Sequence, residues 1–251
     1  MAQAVQQSGT RRTSNKWMRA FGIVLFSLCA GARAEVCNPA GLSGAYAVQL
    51  SGMTQISGTA KPFDSLGRLV FDGAGVLSGT SSTMFAGFLL GNLVTGSYKA
   101  DWDCSVSWEL QDDSGAYQHF RGRFSPDLSR GEFRQTDPGG LQRGVLRKIP
   151  ARCTRADLRP KYRFTVSGST TPMVEGQVAR PVSGTGTFEV NDGVAVDQDC
   201  TVEFELRLLK KDTPPLTMRM RGVVTDGGKA ILAIATDPGA MVAAELDSES
   251  K

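Results

Sequence analysis

The chain has almost no histidine and no paired-cysteine motif. His119 is the only histidine in 251 residues, and none of the five cysteines has a Cys-x-x-Cys spacing. Zinc sites and thiol redox centres are usually built from such ligands, so the sequence predicts no metal and no cofactor. P-loop, dinucleotide-binding and Gly-x-Ser-x-Gly motifs are also absent, which argues against nucleotide-dependent enzymes and serine hydrolases.

Helical periodicity is missing from every long stretch. Short alternating segments are instead separated by Gly, Asp and Pro turns about every ten residues, a pattern typical of an antiparallel β meander. The sequence therefore predicts an all-β protein.

No apolar run is long enough for a spanning helix of roughly 20 residues. The longest one near the N-terminus, residues 20–30, follows four basic residues and precedes Ala32-Arg33-Ala34, which has the small-x-small form of a signal peptidase site. We expect residues 1–34 to be a cleaved signal peptide, with no membrane span afterwards and export to a bacterial periplasm or the medium. An N-terminal membrane anchor is the alternative.

The basic charge of the chain belongs largely to this leader. Five of the 28 basic residues and none of the 25 acidic ones lie in it, so the mature chain has 23 basic and 25 acidic residues. This balance argues against nucleic acid as a partner. The segment from Arg121 to Arg163, here called the basic band, still holds 12 basic and four acidic residues. It is a candidate surface for an anionic polymer or a protein, or simply the outer face of exposed strands.

An internal repeat organises the mature chain. Residues 101–110 and 197–206 both read Asp-x-Asp-Cys-x-Val-x-aromatic-Glu-Leu, and Thr136-Asp137-Pro138-Gly139 recurs one hundred residues later. We predict two tandem antiparallel β-barrel modules, at 35–150 and 151–246, followed by a polar tail at 247–251. About eight strands fit in the first module and about six in the second, so the second is shorter by about one hairpin and forms either a smaller or an open barrel.

The four cysteines of the mature chain occupy equivalent positions in the two repeats. An even number in an exported chain favours disulfides. Pairing within each repeat, Cys37 with Cys104 and Cys153 with Cys200, is the simplest of the three possible connectivities.

The first repeat resembles the avidin and streptavidin family. The likeness covers about sixty residues and is carried by Gly44-Ala45-Tyr46, Leu77-Ser78-Gly79-Thr80, Val94-Thr95-Gly96-Ser97-Tyr98 and Val106-Ser107-Trp108. It implies an eight-stranded up-and-down barrel. Of the tryptophans that line the ligand site of that family, only Trp108 has a counterpart here, so biotin binding is not implied.

Two further patterns suggest functional positions. In residues 117–124, alternation places His119 and Arg121 on one face; if this face lined the lumen, they would be candidate catalytic or anion-binding groups, and otherwise they face solvent. In residues 230–235, Ala-Ile-Leu-Ala-Ile-Ala is apolar on both faces, which is typical of a strand covered on both sides. Leu232 and Ile234 are therefore predicted to contact the first repeat or a second chain.

These observations favour a binding protein over an enzyme. A closed first barrel would offer a lumen for a small apolar or anionic ligand near Tyr46, Tyr98 and Trp108, although the same side chains could fill the core. The alternatives are a barrel-type isomerase or cyclase that uses His119 and nearby arginines, and a surface or interaction module that uses the basic band. The sequence predicts no oligomeric state.

Overall fold

The computed structural model describes residues 36–56, 59–171, 173, 178–190, 194–208 and 215–249. The predicted signal peptide, residues 1–34, lies outside these ranges. Helical structure in the described residues is confined to three single turns of 3-10 helix, at Pro39–Gly41, Arg155–Asp157 and Asp226–Gly228. None of these helices is long and apolar enough to cross a membrane.

Eight antiparallel strands form a closed barrel in the first half of the chain. They are β1 (Ser43–Ile56), β2 (Thr59–Asp72), β3 (Val76–Phe85), β4 (Phe88–Ala100), β5 (Ser105–Asp112), β6 (Tyr117–Phe124), β7 (Arg130–Gln135) and β8 (Arg143–Lys148). Each strand pairs with the next, and β1 also pairs with β8, which closes the barrel. The predicted eight-stranded meander is confirmed.

The second half of the chain forms a seven-stranded sheet, here called the open sheet. Its strands are β9 (Lys161–Thr170), β10 (Pro181–Glu189), β11 (Ala195–Val196), β12 (Thr201–Leu208), β13 (Leu216–Thr225), β14 (Ala230–Ala235) and β15 (Ala240–Ser248). The order is β10-β9-β15-β14-β13-β12-β11, so β10 and β11 are the two edges. The sheet has one strand more than the six expected, because the two-residue β11 counts separately.

Both predicted disulfides are present, Cys37–Cys104 and Cys153–Cys200. Each joins the segment before the first strand of its repeat to the turn that opens a middle strand. Cys104 and Cys200 have positive φ angles of 67° and 73°, which are uncommon for residues other than glycine. The tight Asp-x-Asp-Cys turn therefore has the same geometry in both repeats.

A buried tyrosine is anchored in the same way in the barrel and in the open sheet. The hydroxyl of Tyr46 donates to the carbonyl oxygen of Leu128 at 2.8 Å, and that of Tyr162 donates to the carbonyl oxygen of Gly228 at 2.7 Å. The two acceptors are one hundred residues apart, like the repeated sequence motifs. The repeat read from the sequence is thus matched by equivalent tertiary hydrogen bonds.

Aromatic side chains fill the end of the barrel at which β1 begins, here called the packed end. Phe71 meets Tyr46 edge-to-face with ring centroids 5.3 Å apart, and it meets Tyr98 at 5.0 Å. Phe124 also meets Tyr46 edge-to-face, at 5.6 Å. Such pairs stabilise a core beyond the area that they bury, so this end of the barrel is a packed core.

The barrel and the open sheet pack against each other through their outer faces. Ala47 and Leu66 of the barrel belong to the same buried cluster as Leu232 and Ile234 of β14. All four side chains are at most 3% exposed. The side-chain amide of Gln49 adds hydrogen bonds to backbone oxygens of β14 and β15, at 2.8 and 3.1 Å. The apolar strand β14 therefore lies between the interior of its own sheet and the wall of the barrel.

An ion-pair cluster borders this contact. Arg147, on the outer face of β8, pairs with Asp226, with Glu245 and with Asp247. Its side chain is only 15% exposed, so one guanidinium faces two carboxylates of β15 and one of the 3-10 turn before β14 in a partly desolvated site. Arginine suits this role because its planar group can bind several carboxylates at once.

The hairpin of β3 and β4 reaches across the open sheet. Its two-residue turn, Ala86-Gly87, has positive φ at both positions, 49° and 87°, as in the turns that suit tight hairpins. The carbonyl oxygen of Gly87 accepts from the backbone N–H of Gly239 at 2.9 Å, and Ser82 accepts from Arg221 at 3.1 Å. The β3–β4 hairpin, which has no counterpart among the described residues of the second repeat, is thus held against the open sheet by two hydrogen bonds.

Candidate functional site

A cavity of about 590 Å³ occupies the other end of the barrel, here called the open end. It lies where β1, β3, β5 and β7 finish, and the turn at residues 137–140 forms part of its rim. Its volume falls in the range of small-molecule sites. The lumen is thus divided between a packed core and a cavity.

Neutral polar and apolar side chains alternate around the cavity. The polar lining residues include Thr54, Ser65, Ser81, Thr83, Asn92 and Gln118, and the apolar ones include Leu50, Phe63, Phe85, Leu90, Val94 and Leu110. Thr83 and Ser65 are both buried, and the hydroxyl of Thr83 donates to that of Ser65 at 3.1 Å. Hydroxyl and amide groups of this kind can orient a ligand while the apolar groups exclude water.

A layer of aromatic rings lies next to the cavity, toward the packed end. Trp108 stacks on Phe120 with centroids 5.6 Å apart and meets Phe133 at 4.9 Å. Each ring is two residues along its strand from a cavity-lining residue, Leu110, Gln118 or Gln135 respectively, and strand alternation places such pairs on one face. These rings separate the cavity from the packed end.

The three aromatic residues predicted to bind a ligand do not line this cavity. Tyr46 and Trp108 are 0% and 3% exposed within the barrel core, and Tyr98 packs on Phe71 and donates to the carbonyl oxygen of Leu42 at 3.0 Å. Burial raises the pKa of Tyr46 to about 12, with smaller contributions from Tyr98 and Asp127. The open end is instead lined by small polar residues of β2, β3 and β4, whose inward alternation in the sequence was the signal that could have revealed them.

Two carboxylates stand at the rim of the cavity, and local hydrogen bonds hold both. Asp112 accepts from the backbone N–H groups of Ser114 and Ala116, at 2.9 and 3.1 Å. Burial raises the pKa of Asp137, but hydrogen bonds from the backbone and ring of His119 and from Gln135 outweigh it, so its pKa lies below the usual value. Among the described residues, no Lys, Arg or His lines the cavity. Its charge is therefore negative.

Several buried polar atoms in the barrel have no hydrogen-bond partner among the described residues. They are Nε of Arg68, the amide oxygen of Gln135, both amide atoms of Gln142 and the indole nitrogen of Trp108. Unpaired buried groups are rare and call for an explanation. Gln135 lines the cavity, so its unpaired oxygen gives the wall an acceptor that a ligand could use.

His119 and Arg121 lie on the outer face of the barrel. His119 is about half exposed, and its Nδ1 lies 2.7 Å from Asp137 Oδ1, while its backbone N–H donates to Oδ2 of the same carboxylate at 2.8 Å. In the second repeat, the side chain and backbone of Arg219 bind Asp237 in the same way, both at 2.7 Å. An arginine in the equivalent place indicates that the contact anchors the Asp-Pro-Gly turn and does not depend on imidazole chemistry.

The described residues contain no group of three or more His, Cys, Asp or Glu side chains placed to hold a metal ion. A second cavity, of about 790 Å³, lies at the corresponding end of the open sheet, beside Asp237 and Gly239. Its wall includes Met173, Val178 and Arg180, next to residues 172 and 174–177, which are outside the described ranges. The barrel cavity is therefore the better-defined candidate site.

A scan against models of known protein families finds no match to this chain, and a search of curated proteins finds none. The resemblance to avidin and streptavidin thus extends to a closed antiparallel eight-stranded barrel, without a family assignment.

Proposed function

We propose that this chain is an exported binding protein that holds a small uncharged molecule in the open end of the barrel. Two disulfides support an oxidising compartment, because such bonds persist outside the cytosol. The closed barrel provides a preformed frame around the cavity. A rigid, preformed site binds a small ligand without the entropic cost of ordering loops.

The observation that carries the proposal is the composition of the cavity wall. Its described residues offer hydroxyl, amide and apolar groups, together with two carboxylates and no cationic side chain. An anion would meet like charge in a partly desolvated site, which is costly. Of the two ligand types expected from the sequence, the wall therefore favours the apolar one, and such a ligand could also carry hydroxyl or amide groups. The wall disfavours an anionic ligand.

Catalysis that depends on His119 finds no support in this geometry. The imidazole is on the outer wall of the barrel and bound to Asp137, whereas the cavity lies inside the barrel. The isomerase or cyclase alternative would have to use the rim carboxylates Asp112 and Asp137, which local hydrogen bonds already hold.

The test is a binding screen with matched uncharged and anionic probes on the full exported protein with its disulfides formed. One suitable pair is an aryl glucoside and the corresponding aryl glucuronide, which differ by one carboxylate, and uncharged aryl amides and alcohols extend the panel. We expect uncharged members to bind at least about tenfold more tightly than their anionic partners.

Two variants of β3 locate the site. Ser81→Phe places a ring in the cavity and should abolish binding, whereas Ser78→Phe on the exposed outer face of the same strand should leave it unchanged. Equal binding of the anionic partners, binding that survives Ser81→Phe, or no binding by any member of the panel would contradict the proposal.

A further inference from the structure

Three arginines stand in a row across the outer face of the barrel. Arg121 of β6 is directly opposite Arg134 of β7, which is directly opposite Arg143 of β8. All three are exposed. Neighbouring strands are about 4.8 Å apart, so the three backbone positions follow one another across the strands, around the curved outer wall of the closed barrel. We call these residues the arginine row.

The row has no acidic partner to offset its charge. No side chain of the row forms an ion pair with another described residue, unlike Arg147, Arg219 and Arg221. Other exposed arginines, such as Arg130 and Arg163, also lack such a pair, so the row is distinguished by the direct opposition of its three charges. Like charges directly opposite each other on adjacent strands destabilise a sheet. Three in succession are therefore a local cost that packing within the described chain does not explain.

The second repeat keeps only one of the three charges at the equivalent positions. One hundred residues later they are Arg221, Ile234 and Ala243, which also stand opposite each other on neighbouring strands. Ile234 is buried against the wall of the barrel. The equivalent face is thus a protein contact in the open sheet and an exposed cationic surface in the barrel.

The surroundings of the row favour a linear ligand. Ser107 lies opposite Arg121 and Lys99 lies opposite Ser107, so the line continues along small and cationic side chains at one end. At the other end, Ser51 lies opposite Arg143. From Lys99 to Arg143 the line crosses five of the eight strands and follows the curved wall of the barrel for about 19 Å at the usual strand spacing.

Acidic and titratable groups flank the line but do not interrupt it. Glu132 and Arg123 are opposite each other, one step along the strands on one side of the row. Glu109 and His119 are opposite each other on the other side, where His119 is held by Asp137. A ligand along the row would thus meet arginines in sequence, with carboxylates only beside it.

We propose that the arginine row binds a linear acidic polysaccharide laid across the strands. Guanidinium groups bind carboxylates and sulfates through paired hydrogen bonds, and arginines on successive strands can each bind one charge of a polymer that follows the curved wall. The surface faces away from the lumen, so this site is separate from the proposed cavity ligand. The sequence suggested an anionic partner for the basic band. The proposal assigns the binding of that partner to three of the twelve basic residues of the band.

The test measures binding of the full disulfide-bonded protein to heparin and to polygalacturonate, with dextran as an uncharged reference. The native protein should bind both acidic polymers and not dextran. The triple variant Arg121→Gln, Arg134→Gln, Arg143→Gln should lose at least about tenfold in affinity, and the dependence of log affinity on log salt should become shallower by about two to three.

The matched control removes three exposed arginines elsewhere, Arg152→Gln, Arg159→Gln and Arg207→Gln, and changes the net charge equally. It should retain affinity within about twofold, since charges that do not touch the polymer contribute little at moderate salt. A control that weakens binding as much as the row variant would overturn the proposal.

Three other results would also overturn it. The first is equal affinity for dextran, or no binding to either acidic polymer. The second is equal affinity for single-stranded nucleic acid of matched charge. The third is a row variant that self-associates while its polysaccharide binding is unchanged. The last result would show that the arginines serve only to keep this face from packing on another sheet.

Discussion

At the scale of single residues, glycine explains part of the repeated sequence. Gly52 and Gly168 follow serine in equivalent places and have φ angles of 147° and 151°. A Cβ at either position would collide with a backbone carbonyl, that of Leu141 or Met241 respectively. The glycine of the Ser-Gly motif seen in both repeats is therefore required by the close approach of a neighbouring backbone segment.

Asp64 is a buried carboxyl on the outer face of β2, beside Leu66. It is 7% exposed, and burial raises its pKa although a hydrogen bond with Ser51 lowers it. In the folded chain the carboxyl therefore keeps its proton at pH values where the unfolded chain, with a pKa of about 3.9, has lost it. Stability contributed by this group is present at low pH and is lost as pH rises from about 4 through the folded pKa.

We predict that Asp64→Asn removes this loss. Because asparagine does not ionise, the variant should melt about 2–4 °C higher at pH 7, the shift that about 1 kcal/mol produces in a domain of 150–250 residues. The gain should shrink toward pH 4. Thermal unfolding followed across this pH range checks the prediction, with Asp113→Asn at an exposed position as a control without effect. Identical pH profiles for Asp64→Asn and the native protein would refute it.

At the scale of elements, the disulfides attach the lead-in of each repeat to its middle strand. Cys37–Cys104 closes 67 residues and Cys153–Cys200 closes 47. Loop-closure entropy depends only logarithmically on length, so the two bonds should stabilise the fold by similar amounts.

We predict that the paired variants Cys37→Ser/Cys104→Ser and Cys153→Ser/Cys200→Ser each lower the free energy of unfolding by about 3–5 kcal/mol. Urea unfolding under non-reducing conditions measures both losses. Reduced native protein is the control and should be at least as unstable as either variant. If only one of the two paired variants had a lower free energy of unfolding, packing around the cysteines, and not chain connectivity, would dominate the effect of the disulfides.

At the scale of the whole molecule, the barrel and the open sheet share one buried cluster. Leu232, at 0% exposure, is central to it, and the ion pairs of Arg147 lie at its border. Contacts between the two β structures are therefore mostly apolar in the middle and charged at the edge, like many protein interfaces.

We predict that Leu232→Ala lowers the free energy of unfolding by about 2–5 kcal/mol, as large-to-small changes in a core do. Leu232→Asp should cost more, because it buries an unpaired charge, and should expose an apolar surface that promotes self-association. Calorimetry and sedimentation measure the two effects. Leu216→Ala, at a position that is 39% exposed, is the control. Unchanged stability and oligomeric state in Leu232→Asp would contradict a structural role for this contact.

The sequence by itself determined the β class, the meander and the repeat, and it favoured the cysteine pairing that the structure shows. These features depend on local signals: period-two alternation, Asp-Gly and Asp-Pro-Gly turns, and Cys37 and Cys153 at matching positions. The apolar character of β14 on both faces was also visible in residues 230–235. Each signal works because a strand or turn is specified by residues close together in the chain.

Only the tertiary structure decided which side chains meet across strands. Whether Trp108 lines a cavity or packs beside one depends on the volumes contributed by eight strands at the same level of the barrel. Barrel closure and register turn His119 outward and align Arg121, Arg134 and Arg143. Alternation assigns a residue to one of two faces, but strand pairing decides which face is inside and which residues become neighbours.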